Sequence, residues 1–216
     1  MAENTLQKII EKKINKINIL KKNITIDSLK KKITENNSFV NFKEKIEKNI
    51  ISNKISIIAE IKKASPSAGV IIKDYDPLKI AKIYESNKAT CLSVLTEEDF
   101  FFGNLIHISK IKQKINLPVL CKDFFIDPFQ VHLAKSYGAD AILIIIAGVN
   151  DKLADQLYEE AQKKRIQFCG LEAVIITGML MDAWGYKKRH VLKYDHSGSS
   201  TQNYDSVVGY CSLVYT

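Results

Sequence analysis

Cysteine is scarce and poorly placed for cross-linking or for metal. Cys91, Cys121, Cys169 and Cys211 are far apart, with no C-x-x-C pair and no His-Cys cluster at zinc spacing. They read as reduced thiols without a metal role. His190 and His196 lack accompanying ligands and read as surface residues. No apolar run approaches the roughly eighteen residues of a membrane span, and lysines and glutamates interrupt the apolar stripe at the N-terminus, unlike a signal-peptide core. A Gly-rich phosphate loop of the P-loop or dinucleotide type is also missing. His-Ser-Gly-Ser-Ser at 196–200 lacks the preceding strand and following helix that would aim N–H groups at an anion, so it reads as a polar loop. Together these absences predict a soluble, cytoplasmic chain without a metal or dinucleotide site.

The 216 residues, 46% hydrophobic and 26% charged, are enough for one globular domain with a sizeable core. The net charge of +8 lies largely in lysines of the first third, among them Lys12, Lys13, Lys16, Lys21, Lys22, Lys30, Lys31 and Lys32, which read as a solvated helix face. A nucleic-acid binder would need aromatic and basic residues interleaved on a recognisable module, and none is found. A basic chain also attracts small phosphorylated anions through its long-range field, so charge alone does not choose between these partners.

The richest segment is Ile57 to Gly69, where a carboxylate, an ammonium and a hydroxyl fall within one apolar strand and its turn. Glu60 and Lys62 stand two residues apart and therefore share a face, and burying either alone would cost several kcal/mol. A salt bridge on a half-exposed edge strand would account for the pair. It would not account for the Ser-Pro-Ser turn that follows, or for a second lysine-bearing strand at Lys122.

Leu6, Ile9, Ile10, Ile14, Ile17 and Leu20 recur at helical spacing, and a shorter helix is expected around Phe39, Phe42 and Ile46. Strand and helix then alternate. Strands are expected at 55–61, 91–96, 118–121 and 141–146. Helices are expected after Asp76-Pro77 and Asp127-Pro128, each an N-cap followed by proline, near 105–114, and after Asn150 or Asp151. Repeated βα units mean a parallel sheet, either open and doubly wound or closed as an eight-unit barrel. In both folds chemistry sits at the carboxyl ends of the strands. Those ends carry Glu60, Lys62 and Ser65; Ser93, Thr96, Glu97, Glu98 and Phe101; Lys122, Asp123 and Phe124; and Leu143. Of these, Lys122 reads as functional, Glu97 and Glu98 as solvent-facing, and Ser93 as packing.

Three of these segments, Ile-Ala-Glu-Ile-Lys-Lys-Ala-Ser-Pro-Ser at 58–67, Ser-Val-Leu-Thr-Glu-Glu-Asp-Phe-Phe-Phe-Gly at 93–103 and Leu-Pro-Val-Leu-Cys-Lys-Asp-Phe at 117–124, resemble indole-3-glycerol phosphate synthase of tryptophan biosynthesis, as does 138–143. The likeness runs in order from Leu6 to Phe168. It implies a (βα)8 TIM-type barrel and a carboxy-lyase that closes the ring of 1-(2-carboxyphenylamino)-1-deoxyribulose 5-phosphate with loss of carbon dioxide and water, without a cofactor. By the same resemblance Lys122 is the general acid at the ketone. Lys62 binds the departing carboxylate and assists proton transfer, Glu60 and Ser65 orient these groups, and Phe101 and Leu143 wall the aromatic ring. Asn104 stands where the family usually has serine.

After Phe168 the likeness stops. The catalytic glutamate expected on the fifth strand is replaced by Leu171 or, in another register, by Ile176, and Glu172 is displaced in both. The strand-six, strand-seven and phosphate-turn motifs are not found. Only Ile175 and Ile176 remain of an isoleucine-rich composition, while Tyr186, Tyr194, Tyr204, Tyr210 and Tyr215 make up more than half of the nine tyrosines. The expected organisation is an N-terminal helical extension at 1–50, an incomplete barrel of four to five βα units at 51–176, and a divergent tail at 177–216 expected to be poorly ordered. The expected activity is impaired, with a non-catalytic remnant as the alternative, a small phosphorylated substrate as partner, and self-association through the sheet edge that the fifth strand should cover. A frame change or gene truncation near Phe168 would explain the tail. After a frame change, nucleotide sequencing of the locus finds the family-like continuation in another reading frame, and its absence from every frame counts against that origin.

Overall fold

The computed structural model describes residues 2–35, 39–145, 148–169, 189–196 and 209–215. Ile9–Cys169 forms one compact unit. The N-terminal extension contributes helices α1 (Ala2–Asn23), α2 (Ile26–Glu35) and α3 (Phe42–Ile51). Strand β1 (Ile58–Ile61) and the short hairpin β2 (Ala64–Ser65) and β3 (Gly69–Val70) follow. The alternation then runs α4 (Pro77–Ser86), β4 (Cys91–Leu95), α5 (Ile106–Lys112), β5 (Val119–Lys122), α6 (Phe129–Ser136), β6 (Ala141–Leu143), α7 (Asp151–Lys163) and β7 (Gln167–Cys169). No helix among the described residues is long and apolar enough to cross a membrane.

Five strands pair in parallel in the order β1-β4-β5-β6-β7, the sequential order of a barrel wall. Glu60 lies opposite Ser93, Ser93 opposite Leu120, and Leu120 opposite Ala141. Cross-strand neighbours share a face and successive residues alternate, so this register sorts the side chains into two sets. Ile61, Leu92, Val94, Val119, Cys121 and Ile142 form one set, all at most 1% exposed. Glu60, Ser93, Leu120 and Lys122 belong to the other. At its lower end that second face is closed by Phe42 of α3, which packs with Cys91, Leu120 and Ala141, and Leu143 lies against the same cluster.

Caps follow the sequence at two helices. Asp76 Oδ1 accepts from the N–H of Leu78 (2.9 Å) and of Lys79 (3.1 Å) ahead of Pro77, and Asn150 rather than Asp151 caps α7, accepting from Leu153 N–H at 2.9 Å. At Asp127-Pro128 the helix begins one residue later than expected, at Phe129. Asp127 Oδ1 still accepts from Phe129 N–H at 2.8 Å, and Gln130 Oε1 takes the N–H groups of Ile126 and Asp127. Gly138 ends the segment at φ 95°, in the left-handed region.

The structure corrects four expectations. Strand β1 starts at Ile58, not at residue 55, because its ladder with β4 begins there; Ile55 and Ile57 remain 87% and 52% exposed. Strand β6 ends at Leu143, level with the last residue of its partner β7, and residues 146–147 lie outside the described residues. Helix α2 was not anticipated: its lysine run hides Leu29, which packs with Ile17, Phe129 and Leu133. The lysines of α1 are not a uniformly solvated face. Ile9, Lys13 and Ile17, spaced four apart, are 4%, 6% and 4% exposed, while Ile14 is 45% exposed. A lysine therefore occupies the middle of the buried stripe.

In the second unit, β8 (Arg189–His196) and β9 (Gly209–Tyr215) pair antiparallel, Arg189 opposite Tyr215 and His196 opposite Gly209, with a register shift between Val191 and Lys193. Leu171, Glu172, Ile176 and residues 197–200 lie outside the described residues.

Candidate active site

Glu60 lies in β1, Lys62 directly follows the strand, and Lys122 ends β5, two strands away, on the face of Glu60. The Glu60 carboxylate joins them. Its Oε1 lies 2.6 Å from Lys62 Nζ, and its Oε2 accepts from Lys122 Nζ. Tyr84 of α4 donates to the Glu60 carbonyl oxygen at 3.1 Å and ties β1 to the helix behind it. The three side chains are 29–35% exposed, so the trio is open to a ligand from the strand ends.

Burial pushes the Glu60 carboxyl up, but the hydrogen bonds and positive charges of Lys122 and Lys62 outweigh it, so the group sits below its ordinary range. It therefore stays ionised and acts as a fixed anionic hinge between two ammoniums. An anion arriving at either lysine must compete with Glu60 or share the cation with it. Partial exposure screens the pairs, so each adds a small stabilisation, about 0.2–1 kcal/mol.

The loop after β4 shapes one side of the cup. Glu97 was expected to face solvent and is instead 1% exposed. Its carboxylate accepts from three backbone N–H groups, those of Asp99 (3.1 Å), Phe100 (2.7 Å) and Phe101 (3.1 Å). Donors from its own turn replace water, which makes burial tolerable. Glu98 remains at the surface, paired with Lys16. Gly103 closes the turn, its N–H donating to the Glu97 carbonyl oxygen at 2.7 Å. A Cβ there would sit 2.4 Å from the Leu95 carbonyl oxygen, so only glycine allows this approach. Asn104, the departure from serine, accepts from Ile106 N–H at 2.9 Å at the start of α5.

Of the residues expected at the site, Glu60, Lys62 and Lys122 come together. Phe101 meets Phe124 with ring centroids 6.3 Å apart, so the loops after β4 and β5 share an aromatic contact. Leu143 packs at the cluster around Leu120, which lies on the same face as Lys122. Ser65 lies in the β2–β3 hairpin, where its hydroxyl accepts from Ala68 N–H at 3.1 Å and lies 3.3 Å from Ser67 Oγ; it closes its own turn.

The sequence profile of indole-3-glycerol phosphate synthase matches residues 6–170. The chain belongs to the indole-3-glycerol phosphate synthase family. Its five parallel strands are accordingly a stretch of a TIM-type barrel wall, with the trio at the carboxyl ends where such barrels place their chemistry. Among relatives of that name, the one from Trichodesmium erythraeum is 40% identical over 69% of this chain and 50% of its own length. That from Aliarcobacter butzleri is 42% identical over 73% of this chain and 60% of its own length. That from Prochlorococcus marinus AS9601 is 43% identical over 72% of this chain and 55% of its own length. The chain thus spans about half to three-fifths of the curated relatives it matches.

Beside the trio, Asp123 carries no role in the sequence pattern, and Lys13, expected on a solvated helix face, is buried against it. Asp123 was visible beside Lys122, but nothing in the pattern pointed to a lysine more than a hundred residues earlier. Because the folded Glu60 carboxyl is held low, its interactions are in place above 4.5, its ordinary value, and are lost as pH falls below that through the folded value. Thermal unfolding of Glu60→Gln against the parent chain reads this directly: the two curves of stability against pH converge as acid is added. Curves that stay parallel exclude the ion-paired Glu60.

Proposed function

We propose that the trio serves ring closure of 1-(2-carboxyphenylamino)-1-deoxyribulose 5-phosphate to indole-3-glycerol phosphate, a carboxy-lyase step of tryptophan biosynthesis that needs no cofactor. The observation that carries the reading is the Glu60 carboxylate shared by two ammoniums at the ends of β1 and β5. The aromatic carbon bearing the carboxylate attacks the ketone carbon. As that bond forms, the ketone oxygen takes a proton from Lys122, the catalytic acid, and becomes a hydroxyl. Lys62 holds the carboxylate until it leaves as carbon dioxide, its bonding pair returning to the ring. The hydroxyl then departs as water with the loss of a neighbouring carbon-bound proton, a step in which Lys62 assists. An ammonium in a partly desolvated cup stabilises the developing alkoxide far better than water does. Glu60 orients both lysines and Ser65 the substrate, and Phe101 and Leu143 line the ring's side.

The reading extends to a weak rather than a full activity. Residues 171–216 fall outside the family match, and in either register the fifth-strand position for a proton acceptor is apolar. That observation also favours the second reading, a non-catalytic remnant. For association, β7 covers the β6 edge expected to be open, whereas β1 ends the sheet on the other side among the described residues, and Ile55, Ile57 and Ile58, in it and leading into it, are 39–87% exposed. An apolar strand edge of this kind recruits another strand, and we infer that a second copy pairs there.

Purified chain supplied with the ribulose phosphate is expected to form indole-3-glycerol phosphate above background, detected by indole absorbance, with Lys122→Ala reducing the rate by about a hundredfold or more. Complete silence of the parent chain establishes the remnant. Size-exclusion chromatography with light scattering is expected to give twice the monomer mass, returning to monomer on joint Ile55→Lys and Ile57→Lys substitution; a monomeric parent chain disproves pairing at this edge.

A further inference from the structure

Lysines of α1 reach the two loops that leave β4 and β5. Lys16 pairs with Glu98 at 2.7 Å and Asp99 at 3.0 Å, and Lys21 with Asp127 at 2.8 Å. These lysines are 32% and 45% exposed, and such pairs anchor weakly. Lys13 differs. Its Nζ lies 2.7 Å from Asp123 Oδ1, with the two side chains 7% and 9% exposed. Asp123 Oδ2 accepts from Thr96 Oγ1 at 2.8 Å, Oδ1 also accepts from Phe124 N–H at 2.8 Å, and Thr96 Oγ1 lies 3.3 Å from Cys121 Sγ.

Asp123 is therefore gripped from the extension, from the end of β4 and from its own loop, and it directly follows Lys122. Successive side chains of a strand point to opposite faces, so Asp123 held on the helix-covered face, with buried Cys121 before it, brackets Lys122 and commits it to the other face, where Glu60 waits. A helix anchor alone would not need this pair: apolar residues of similar volume replace buried ion pairs with little or no loss of stability. What an apolar pair lacks is the set of directional hydrogen bonds, from Thr96 Oγ1 and Phe124 N–H, that hold the backbone just past the end of β5.

We propose that Lys13 is a positioning residue which, through Asp123, aims the Lys122 ammonium at Glu60 and at the substrate. The proposal rests on the reading of Lys122 as proton donor. Its geometric half is tested without turnover. Lys13 belongs to a helix that precedes the barrel, so the same contact makes the acid's position depend on docking of the extension.

The test uses the full chain and follows the Glu60 carboxyl by carbon-13 NMR titration alongside thermal unfolding. In Lys13→Met the Glu60 midpoint is expected to rise by about half a pH unit or more, because Lys122 no longer meets it. Lys13→Arg restores the parent midpoint, and Lys16→Met, which loosens the helix without touching Asp123, leaves it unchanged. Should Lys13→Met fold poorly, the double variant Lys13→Met with Asp123→Leu removes the unpaired buried charge, and the same rise is expected there. A lowered unfolding temperature with an unmoved Glu60 midpoint in these variants overturns the proposal and leaves Lys13 as a helix anchor. With measurable turnover, kcat falls about tenfold or more in Lys13→Met while KM stays within about twofold, and equal loss in Lys16→Met overturns it. Absence of turnover in the parent chain defeats the enzymatic reading but leaves the titration as the judge of this one.

Discussion

The Glu60 carboxylate held between the Lys62 and Lys122 ammoniums is the interaction on which the functional reading depends. It requires that β1 and β5 run parallel with β4 between them, that Glu60 lies level with Ser93 and Leu120, and that Lys122 extends one layer above Leu120. Slippage of one residue in either pairing would turn one lysine to the helix-covered face. Register here is set by burial: Ile61, Val94 and Cys121 stand on the covered face at the same level and are almost completely inaccessible.

A polar counterpart lies behind the sheet. Asp123 and Thr96 form a small network with Lys13, and Asp140 repeats the device at the opposite end of β5. The Asp140 carboxylate, fully buried, pairs with Lys112 at 2.8 Å and accepts from the N–H groups of Val119 and Val40, each at 2.8 Å. Each end of β5 is thus pinned by an aspartate whose charge is balanced by a lysine. Burial raises the Asp140 carboxyl, opposed by Lys112 and the two backbone donors. Such groups contribute orientation more than stability, because desolvation consumes most of the attraction. Both aspartates also reach the N-terminal extension, one through Lys13 and the other through Val40, so that extension is tied to both ends of β5.

Much of the alternation was legible because its signals are local. Asp76-Pro77 and Asn150 cap their helices as their side chains suggest, and the apolar runs at 91–95 and 119–121 are strands because both of their faces are covered. The meeting of three charged groups at the strand ends was legible for a similar reason: a charged side chain in an apolar strand costs too much to bury without a partner or a task. The failures share a different cause. Glu97 and Glu98 are adjacent and chemically alike, yet one is buried and the other exposed, because the N–H groups that satisfy Glu97 exist only once the turn to Phe101 has formed. Lys13 sits in a row of lysines, and what distinguishes it, Asp123, arrives from a distant part of the chain.

The amino-acid order by itself determined the βα alternation, the family, and the identity of the ammoniums and carboxylate available at the strand ends, since periodicity, capping and contiguous motifs are properties of neighbours along the chain. Only the tertiary structure decided which charges meet: that Glu60 joins both lysines, that Ser65 closes its own turn, and that Lys13 enters the core. Those outcomes depend on desolvation and on partners far apart in sequence, and the free energy of a charge follows from what surrounds it after folding, not from its neighbours before.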